Sequence, residues 1–152
     1  TANKFRGLDY RQQIIYRSKK LLIINDSKST SFSSTVPLLE SYKNIYWILG
    51  GLAKKGDKLK LKKKYFRNIK AFVYGKDRNF LMNLLSNKIS YESSSTLNKI
   101  IKIVKYYIKK DNTSKVILFS PSAASFDQFK NFEDRGKFFN KIIKVMFQKI
   151  RI

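Results

Sequence analysis

The sequence predicts an open, mostly parallel α/β sheet that is covered by helices on both faces. Short apolar runs of strand length alternate with longer amphipathic segments, and polar loops rich in Ser, Lys and Gly follow the apolar runs directly. This alternation is typical of a parallel sheet, because parallel strands need crossover helices to connect them. With 152 residues, 43% of them hydrophobic, the chain is long enough for one core, so we expect a single domain over residues 1–152.

Apolar runs predict the strands of this sheet. The core strands are expected at Leu21 to Ile24, Ile45 to Leu49, Ile69 to Tyr74 and Val116 to Phe119. The runs are short and apolar except for Lys70, as expected for strands that are buried on both faces. A weaker edge strand is expected near Lys88 to Tyr91.

Amphipathic segments between these runs predict four helices. Ser31 to Ser34 supply N-cap candidates for the first, which runs to about Tyr42, and Asp77 can cap the second. The third is the clearest, because apolar residues recur in steps of three and four with lysines between them. Its apolar positions are Leu97, Ile100, Ile101, Val104 and Ile108. The last helix buries Phe139, Ile142, Ile143, Met146, Phe147 and Ile150 on one face. Together these elements predict a Rossmann-like arrangement.

Several classes of chemistry are excluded by composition. The sequence has no cysteine and no histidine, which removes disulfides, thiolate and imidazole ligands, and any Ser-His triad. We therefore expect no metal site in this chain. No apolar stretch approaches the roughly 18 residues that a membrane span needs, and the polar start lacks the apolar core of a signal peptide. These features indicate a cytoplasmic protein with no membrane partner.

The net charge of +23 raises the alternative of a basic nucleic-acid-binding module. However, lysine outnumbers arginine by 26 to 7 and is spread along the whole chain with abundant Ile and Asn. This usage favours codon bias in an AT-rich genome over specific nucleic-acid recognition, which often uses Arg. Two basic aromatic clusters, at residues 62–67 and 105–107, could form stacking platforms. We expect their aromatic rings to pack inward instead, so that no specific nucleic acid is bound.

Three polar loops carry the candidate binding residues. They lie at residues 25–30, 50–54 and 120–125, each directly after a predicted strand. If these strands are neighbours, all three loops emerge at the carboxyl edge of the sheet, where α/β folds bind ligands. Lys28 and Lys54 are then candidates for binding a carboxylate or a phosphate. Thr30 begins a helix, and Asp26 can cap the turn or accept hydrogen bonds from a ligand hydroxyl.

Three other features suggest narrower roles. The Gly50-Gly51 loop lacks the G-x-x-x-x-G-K-[ST] spacing of a phosphate-binding P-loop. Without a histidine to activate it, Ser125 is better suited to donate a hydrogen bond to a substrate than to act as a nucleophile. The segment from Asn131 to Gly136 can be interpreted as a capped helix start with an intrahelical charge pair.

Three of these segments resemble the C-terminal domain of the Mur ligases, in particular the branch that adds D-glutamate. They are Asn25-Asp26-Ser27-Lys28-Ser29-Thr30, Gly50-Gly51-x-x-Lys54 and the seventeen-residue block from Ser120 to Gly136. Phe5-Arg6-Gly7-Leu8-x-x-Arg11 is similar to the family segment that joins the central domain to the C-terminal one. The resemblance covers essentially the whole chain, and the Ser120 to Gly136 block is its most specific part.

The resemblance implies ATP-dependent peptide-bond synthesis in the cytoplasm, on the route to peptidoglycan. In the family, Mg²⁺ and ATP convert the carboxylate of UDP-N-acetylmuramoyl-L-alanine to an acyl phosphate, which the amine of D-glutamate attacks. By this resemblance the carboxylates of D-glutamate contact the side chains of Lys28, Thr30, Lys54 and Ser125 and the backbone N–H of Phe132. Arg11 and Asp26 face the nucleotide. A monomer is expected.

The same resemblance implies that the central ATP-binding domain and the N-terminal UDP-binding domain lie outside this chain. Most ATP and Mg²⁺ contacts belong to the central domain, so the fragment alone is expected to be inactive. Three positions depart from the family pattern, namely Tyr10, Ser31 and Leu52, and they concern mainly the nucleotide contacts. A folate-type polyglutamate ligase is the alternative within related chemistry, although the Ser120 to Gly136 block matches the cell-wall enzyme better.

Overall fold

The computed structural model describes residues 9–147, which form one mixed sheet with helices on both faces. The strands are β1 (Gln13–Arg17), β2 (Leu21–Asn25), β3 (Ile45–Gly50), β4 (Ile69–Tyr74), β5 (Ser90–Ser93) and β6 (Lys115–Phe119). The helices are α1 (Phe32–Ser41), α2 (Arg78–Leu85), α3 (Leu97–Lys110) and α4 (Phe132–Met146), and a 3-10 helix covers Lys63–Asn68.

The strand order is β1-β2-β6-β3-β4-β5. The pairs β2/β6, β6/β3, β3/β4 and β4/β5 are parallel, and only the edge pair β1/β2 is antiparallel in this part of the chain. The predicted fold class is therefore confirmed. None of the helices in the described range is long and apolar enough to cross a bilayer.

Each face of the sheet has its own hydrophobic core, because successive strand residues point to opposite sides. On one face, Ile23, Ile48 and Phe119 pack with the apolar stripes of α3 and α4. On the other face, Trp47 and Leu118 pack with α1 and α2. Phe119 and Phe139 stack with their ring centroids 4.3 Å apart, which fixes α4 directly over β6.

The predicted core strands all exist, with bounds that differ by at most one residue. The edge strand expected near Lys88 to Tyr91 lies at Ser90–Ser93, two residues further on. Strand β1 was not predicted. It pairs with β2 at the sheet edge, where Gln13, Ile15 and Tyr16 are half-buried and Ile14 and Arg17 are exposed, so it lacks the continuous apolar run of a central strand.

The predicted helices also exist, but the caps expected for two of them are wrong. No serine side chain caps α1; instead Asp57 accepts a hydrogen bond from the Phe32 N–H at 2.8 Å. Asp77 stands directly before α2, yet its carboxylate accepts the Ala53 N–H, also at 2.8 Å. In both cases a side chain binds a backbone N–H that is distant in sequence. Periodicity alone cannot reveal such a partner.

The basic aromatic clusters are used mainly for packing, as expected. Tyr65 and Phe66 pack against the core on the α1 and α2 side, and Tyr107 packs against the opposite core. Tyr106 is the exception, since it remains exposed on α3. The predicted apolar face of α4 is confirmed as far as Phe147, whereas Ile150 and the segment from Phe5 to Leu8 lie outside the described residues.

Candidate functional site

The three polar loops converge at the carboxyl edge of the sheet because their strands are neighbours. We refer to residues 26–31 as the β2 loop, 51–57 as the β3 loop and 120–131 as the β6 loop. Strand β6 lies between β2 and β3 and is parallel to both. The helix that follows β2 packs on one face and the helix that follows β6 packs on the other. Such a change of direction opens a crevice, which is the usual ligand position in open α/β sheets.

The β3 and β6 loops are joined by backbone hydrogen bonds. Leu52 and Ala124 exchange two bonds of 2.9 Å, and the Gly50 N–H donates to the Pro121 carbonyl at 3.1 Å. Gly51 has a φ of 125°, and a Cβ at this position would collide with the Ala124 carbonyl. Glycine is therefore required for the two loops to approach each other this closely.

The β2 loop contacts the start of α4. The Lys28 ammonium lies 4.6 Å from the centre of the Phe132 ring, and the Ser27 hydroxyl donates to the Phe132 carbonyl at 2.8 Å. The Lys28 N–H donates to the Tyr10 carbonyl at 2.9 Å. Residues 10–12, which precede β1 and which we call the incoming chain, are therefore attached to the same loop. Lys28 and Phe132, two of the residues expected to bind D-glutamate, are thus in direct contact.

A cavity of about 370 Å³ lies beside this contact. It is lined by Arg11, Gln12, Asp26, Lys28, Ser29 and Ser34. Arg11 and Asp26, which the family resemblance assigned to the nucleotide, therefore share one cavity with Lys28. Thr30, Lys54, Ser125 and Phe132 do not line it.

Asp26 is held by the protein through both carboxylate oxygens. One oxygen accepts the Gln12 N–H at 3.0 Å and the other accepts the Ser120 hydroxyl at 2.7 Å. Burial raises the pKa of the Asp26 carboxyl, and these two hydrogen bonds, together with the charges of Arg11 and Arg135, oppose that shift. Asp26 consequently holds the incoming chain, β2 and the β6 loop together.

Buried hydroxyls extend this connection to α1. The Ser120 hydroxyl lies 2.6 Å from the Thr35 hydroxyl, which also contacts Ser122 and Ser29 at 2.7 Å each. These side chains are 3% exposed or less, so their hydrogen bonds form away from water. The network fixes the β2 and β6 loops relative to α1.

The remaining predicted site residues occupy the same edge of the sheet. Thr30 is exposed in the β2 loop and Lys54 is exposed in the β3 loop. Ser125 is only 3% exposed, and its carbonyl accepts the N–H groups of Gln128 and Phe129. The loops that carry Lys54 and Ser125 are the pair joined through Leu52 and Ala124. Their joint contact with a substrate stays a prediction.

Arg135 is a residue whose importance the sequence interpretation missed. The start of α4 is capped as interpreted, because the Asn131 side chain accepts the Asp134 N–H at 2.8 Å, but within residues 9–147 the expected intrahelical charge pair of Arg135 does not form. Arg135 is completely buried and donates to the hydroxyl and carbonyl of Ser27 and to the carbonyl of Ala123. A signal was available, because Arg135 lies four and eight residues before Phe139 and Ile143, on the buried face of α4.

The described residues do not fit a metal ion. Across residues 9–147, no three acidic side chains come together as potential ligands. Asp26, the acidic residue of the cavity, already accepts hydrogen bonds at both oxygens. Arg11 and Lys28 instead make the cavity suitable for an anionic group.

Comparison with known proteins identifies the relatives of this chain. It is 36% identical over 147 residues to the UDP-N-acetylmuramoylalanine–D-glutamate ligase of Wolbachia sp. subsp. Brugia malayi (strain TRS), covering 97% of this chain and 29% of that protein. It is 39% identical over 136 residues to the ligase of the same name from Agrobacterium fabrum (strain C58 / ATCC 33970), covering 89% of this chain and 29% of that protein. The chain is homologous to these D-glutamate ligases.

A solved structure supports the fold independently. The murein peptide ligase of Psychrobacter arcticus 273-4 superposes with a TM-score of 0.57 at 12% sequence identity, covering 97% of this chain and 32% of that one. No protein-family model matches the sequence. The Mur ligase resemblance inferred from the Ser120 to Gly136 block is thereby confirmed. The chain spans about 29% of the length of the D-glutamate ligases it matches.

Proposed function

We propose that this chain is the C-terminal, amino-acid-binding domain of a cytoplasmic, ATP-dependent ligase that adds D-glutamate to UDP-N-acetylmuramoyl-L-alanine. The observation that carries the proposal is the convergence of the β2, β3 and β6 loops at one sheet edge in a homologue of D-glutamate ligases. Central ATP-binding and N-terminal UDP-binding domains complete the enzyme outside this chain. They hold most of the ATP and Mg²⁺ contacts.

The residue types at this edge suit a dicarboxylic amino acid. In the proposed complex, the two carboxylates of D-glutamate contact the side chains of Lys28, Thr30, Lys54 and Ser125 and the backbone N–H of Phe132. A dicarboxylate that enters a closing cleft loses its water. Charge-assisted hydrogen bonds from ammonium, hydroxyl and helix N-terminal N–H groups offset that loss.

The domain contributes orientation to the reaction. ATP transfers its γ-phosphoryl group to the carboxylate of UDP-N-acetylmuramoyl-L-alanine, which gives an acyl phosphate and ADP. The D-glutamate amine then attacks the acyl carbon, a C–N bond forms, phosphate leaves and the amine loses a proton. Fixing both carboxylates of D-glutamate aims its amine at that carbon, and closure of the cleft excludes competing water.

Arg11 and Asp26 are proposed to face the nucleotide across the cleft. Arg11 lines the cavity together with Lys28, and a guanidinium suits a phosphate oxygen. The Asp26 carboxylate already accepts hydrogen bonds from the Gln12 N–H and the Ser120 hydroxyl, so its role is to hold the cavity wall in place. This division of roles assigns the phosphate contact to Arg11.

The decisive experiment uses the full-length protein that contains this domain. We expect phosphate release from ATP to depend on both UDP-N-acetylmuramoyl-L-alanine and D-glutamate, and not on L-glutamate. Lys54→Ala and Ser125→Ala should each raise the KM for D-glutamate by roughly 10-fold or more, the effect of losing a hydrogen bond to a charged group. Initial rates at varied D-glutamate provide the measurement.

Lys102→Ala is the matched control, because this exposed lysine lies on α3, away from the three loops. It should leave the KM for D-glutamate unchanged. Unaltered kinetics in both Lys54→Ala and Ser125→Ala would remove these residues from the site. Salt-sensitive oligonucleotide binding without D-glutamate-dependent turnover would instead support a nucleic-acid-binding module.

A further inference from the structure

Arg135 connects the two loops on either side of the proposed D-glutamate site. It belongs to α4, is 0% exposed, and extends under both loops. Its Nε donates to the Ser27 hydroxyl at 3.0 Å and its Nη2 to the Ser27 carbonyl at 2.6 Å and the Ser29 carbonyl at 3.5 Å. Its Nη1 donates to the Ala123 carbonyl at 2.8 Å. One planar guanidinium thereby fixes the β2 loop relative to the β6 loop.

The charge of this guanidinium is not neutralised by direct contact. Between residues 9 and 147, no carboxylate oxygen lies within 4.0 Å of it, and its hydrogen-bond acceptors are carbonyls and a hydroxyl. Burial lowers the pKa of Arg135, whereas Tyr74 and the carboxylates of Asp127 and Asp26 oppose that shift, and an arginine side chain remains protonated in proteins. A full positive charge therefore lies beneath the loops, where water screens it less than it screens a surface lysine.

Arg135 also sets the direction of the loop peptides. A trans peptide points its C=O and the following N–H to opposite sides. Because the carbonyls of Ser27, Ser29 and Ala123 turn inward to Arg135, the N–H groups of Lys28, Thr30 and Ala124 turn away from it. The Lys28 and Ala124 N–H groups bind the carbonyls of Tyr10 and Leu52. Among the described residues, no hydrogen-bond acceptor contacts the Thr30 N–H, and Thr30 is exposed.

We propose that Arg135 is a positioning residue that aligns the β2 and β6 loops around the D-glutamate carboxylates and places a buried positive charge beneath them. This inference rests on the function proposed above and adds to it an internal residue that does not touch the substrate. It also adds the Thr30 N–H, alongside the Thr30 hydroxyl, as a contact for one carboxylate.

Two substitutions separate alignment from charge. Arg135→Lys keeps a positive charge but cannot bind the three carbonyls together, whereas Arg135→Met removes both functions at similar length. In the full-length enzyme, we expect Arg135→Lys to raise the KM for D-glutamate about 10-fold and Arg135→Met about 100-fold, while the KM for ATP changes less than 2-fold. Ser27→Ala removes the Nε contact together with the hydrogen bond from the Ser27 hydroxyl to the Phe132 carbonyl, and it should give a smaller rise in the same direction.

A charge-selective substrate pair tests the electrostatic part of the proposal. The γ-methyl ester of D-glutamate has one carboxylate, so it gains less from a cation beneath the loops. The ratio of kcat/KM for D-glutamate to that for the ester should fall at least 5-fold in Arg135→Met and stay near the wild-type value in Arg135→Lys. A purely structural role of Arg135 would lower kcat/KM for both substrates by the same factor and leave the ratio unchanged.

Leu85→Ala is the matched control for lost stability, because Leu85 is completely buried on α2, on the opposite face from α4. It should lower the melting temperature without moving the KM for D-glutamate. Suppose that the wild-type enzyme is active and that Arg135→Lys, Arg135→Met and Ser27→Ala all keep its KM for D-glutamate and its substrate ratio. This result would overturn the role of Arg135 and leave the proposed function intact. A wild-type enzyme without D-glutamate-dependent turnover would overturn both. If Arg135→Met does not fold, Arg135→Lys and Ser27→Ala still decide whether alignment matters.

Discussion

Buried polar side chains, rather than exposed lysines, determine the shape of the candidate site. Asp26 joins the incoming chain to the β6 loop, and Arg135 joins the β2 loop to the β6 loop. A buried polar group is costly unless it is hydrogen-bonded, and here every bond goes to a residue on another segment. These two side chains therefore stabilise only one relative arrangement of the loops.

The raised pKa of Asp26 predicts a specific pH dependence of stability. Because burial raises this pKa above its ordinary value of 3.8, the native state keeps the proton to a higher pH than the unfolded chain does. The free energy of unfolding should fall as pH rises from 3.8 through the raised pKa and then stay level. The free energy of unfolding of the wild type, measured relative to that of Asp26→Asn, should therefore decrease as pH rises through this interval. Urea denaturation of both proteins from pH 3 to 8 measures the difference.

Ser120→Ala provides the matching test of the same carboxyl group. The Ser120 hydroxyl donates to Asp26 and lowers its pKa, so removing this hydroxyl should extend the pH interval upward. If the stability difference between wild type and Asp26→Asn were independent of pH, the electrostatic account of this residue would be wrong.

Helix α1 illustrates how an element can be predicted correctly while its start is stabilised from elsewhere. The sequence placed the start of this helix among Ser31 to Ser34, and α1 begins at Phe32. The cap comes from Asp57, at the end of the β3 loop that carries Lys54. A negative side chain at a helix N-terminus both accepts a hydrogen bond and interacts favourably with the helix dipole. Asp57 therefore attaches the β3 loop to α1.

Substitution of Asp57 should affect both stability and the site. We expect Asp57→Ala to lower the free energy of unfolding by about 1 kcal/mol, the usual cost of a lost N-cap, and Asp57→Asn to have a smaller effect. In the full-length enzyme the same change should raise the KM for D-glutamate, because the Lys54 loop is released from α1. Denaturant titration and initial rates measure the two effects.

Glu40→Ala removes the same charge from an exposed position near the other end of α1 and is the control. It should leave stability and KM almost unchanged. An equal loss of stability in Glu40→Ala and Asp57→Ala would show that net charge, rather than capping, is responsible.

The net charge of +23 affects the molecule as a whole. In the described range the acid–base ion pairs are Lys70–Glu92 and Lys115–Asp111, so most of the lysines repel one another without local compensation. Self-repulsion of this kind destabilises the compact state, and dissolved salt screens it.

We therefore expect the melting temperature of the chain to rise between 0.02 and 0.5 M NaCl. The rise should be smaller in the triple variant Lys99→Gln, Lys102→Gln and Lys109→Gln, which neutralises exposed positions on α3. Scanning calorimetry at both salt concentrations provides the comparison. Equal salt dependence in the two proteins would mean that surface repulsion does not limit stability.

The sequence by itself determined the elements whose signal is local. Apolar residues dominate β2, β3, β4 and β6, and the apolar stripe of α3 has helical spacing. These patterns predict buried strands and an amphipathic helix without reference to the rest of the chain. The loops that carry Lys28, Lys54 and Ser125 were predicted in the same way, because each loop directly follows a strand.

Only the tertiary structure decided the pairings between distant segments. Strand β1, the cap from Asp57, and the contacts of Arg135 with Ser27 and Ala123 each depend on a partner far away in the chain. The physical reason is that a buried hydrogen bond has no periodicity along the sequence. Its partner is fixed by strand order, which placed β6 between β2 and β3 and so brought the three loops to one edge.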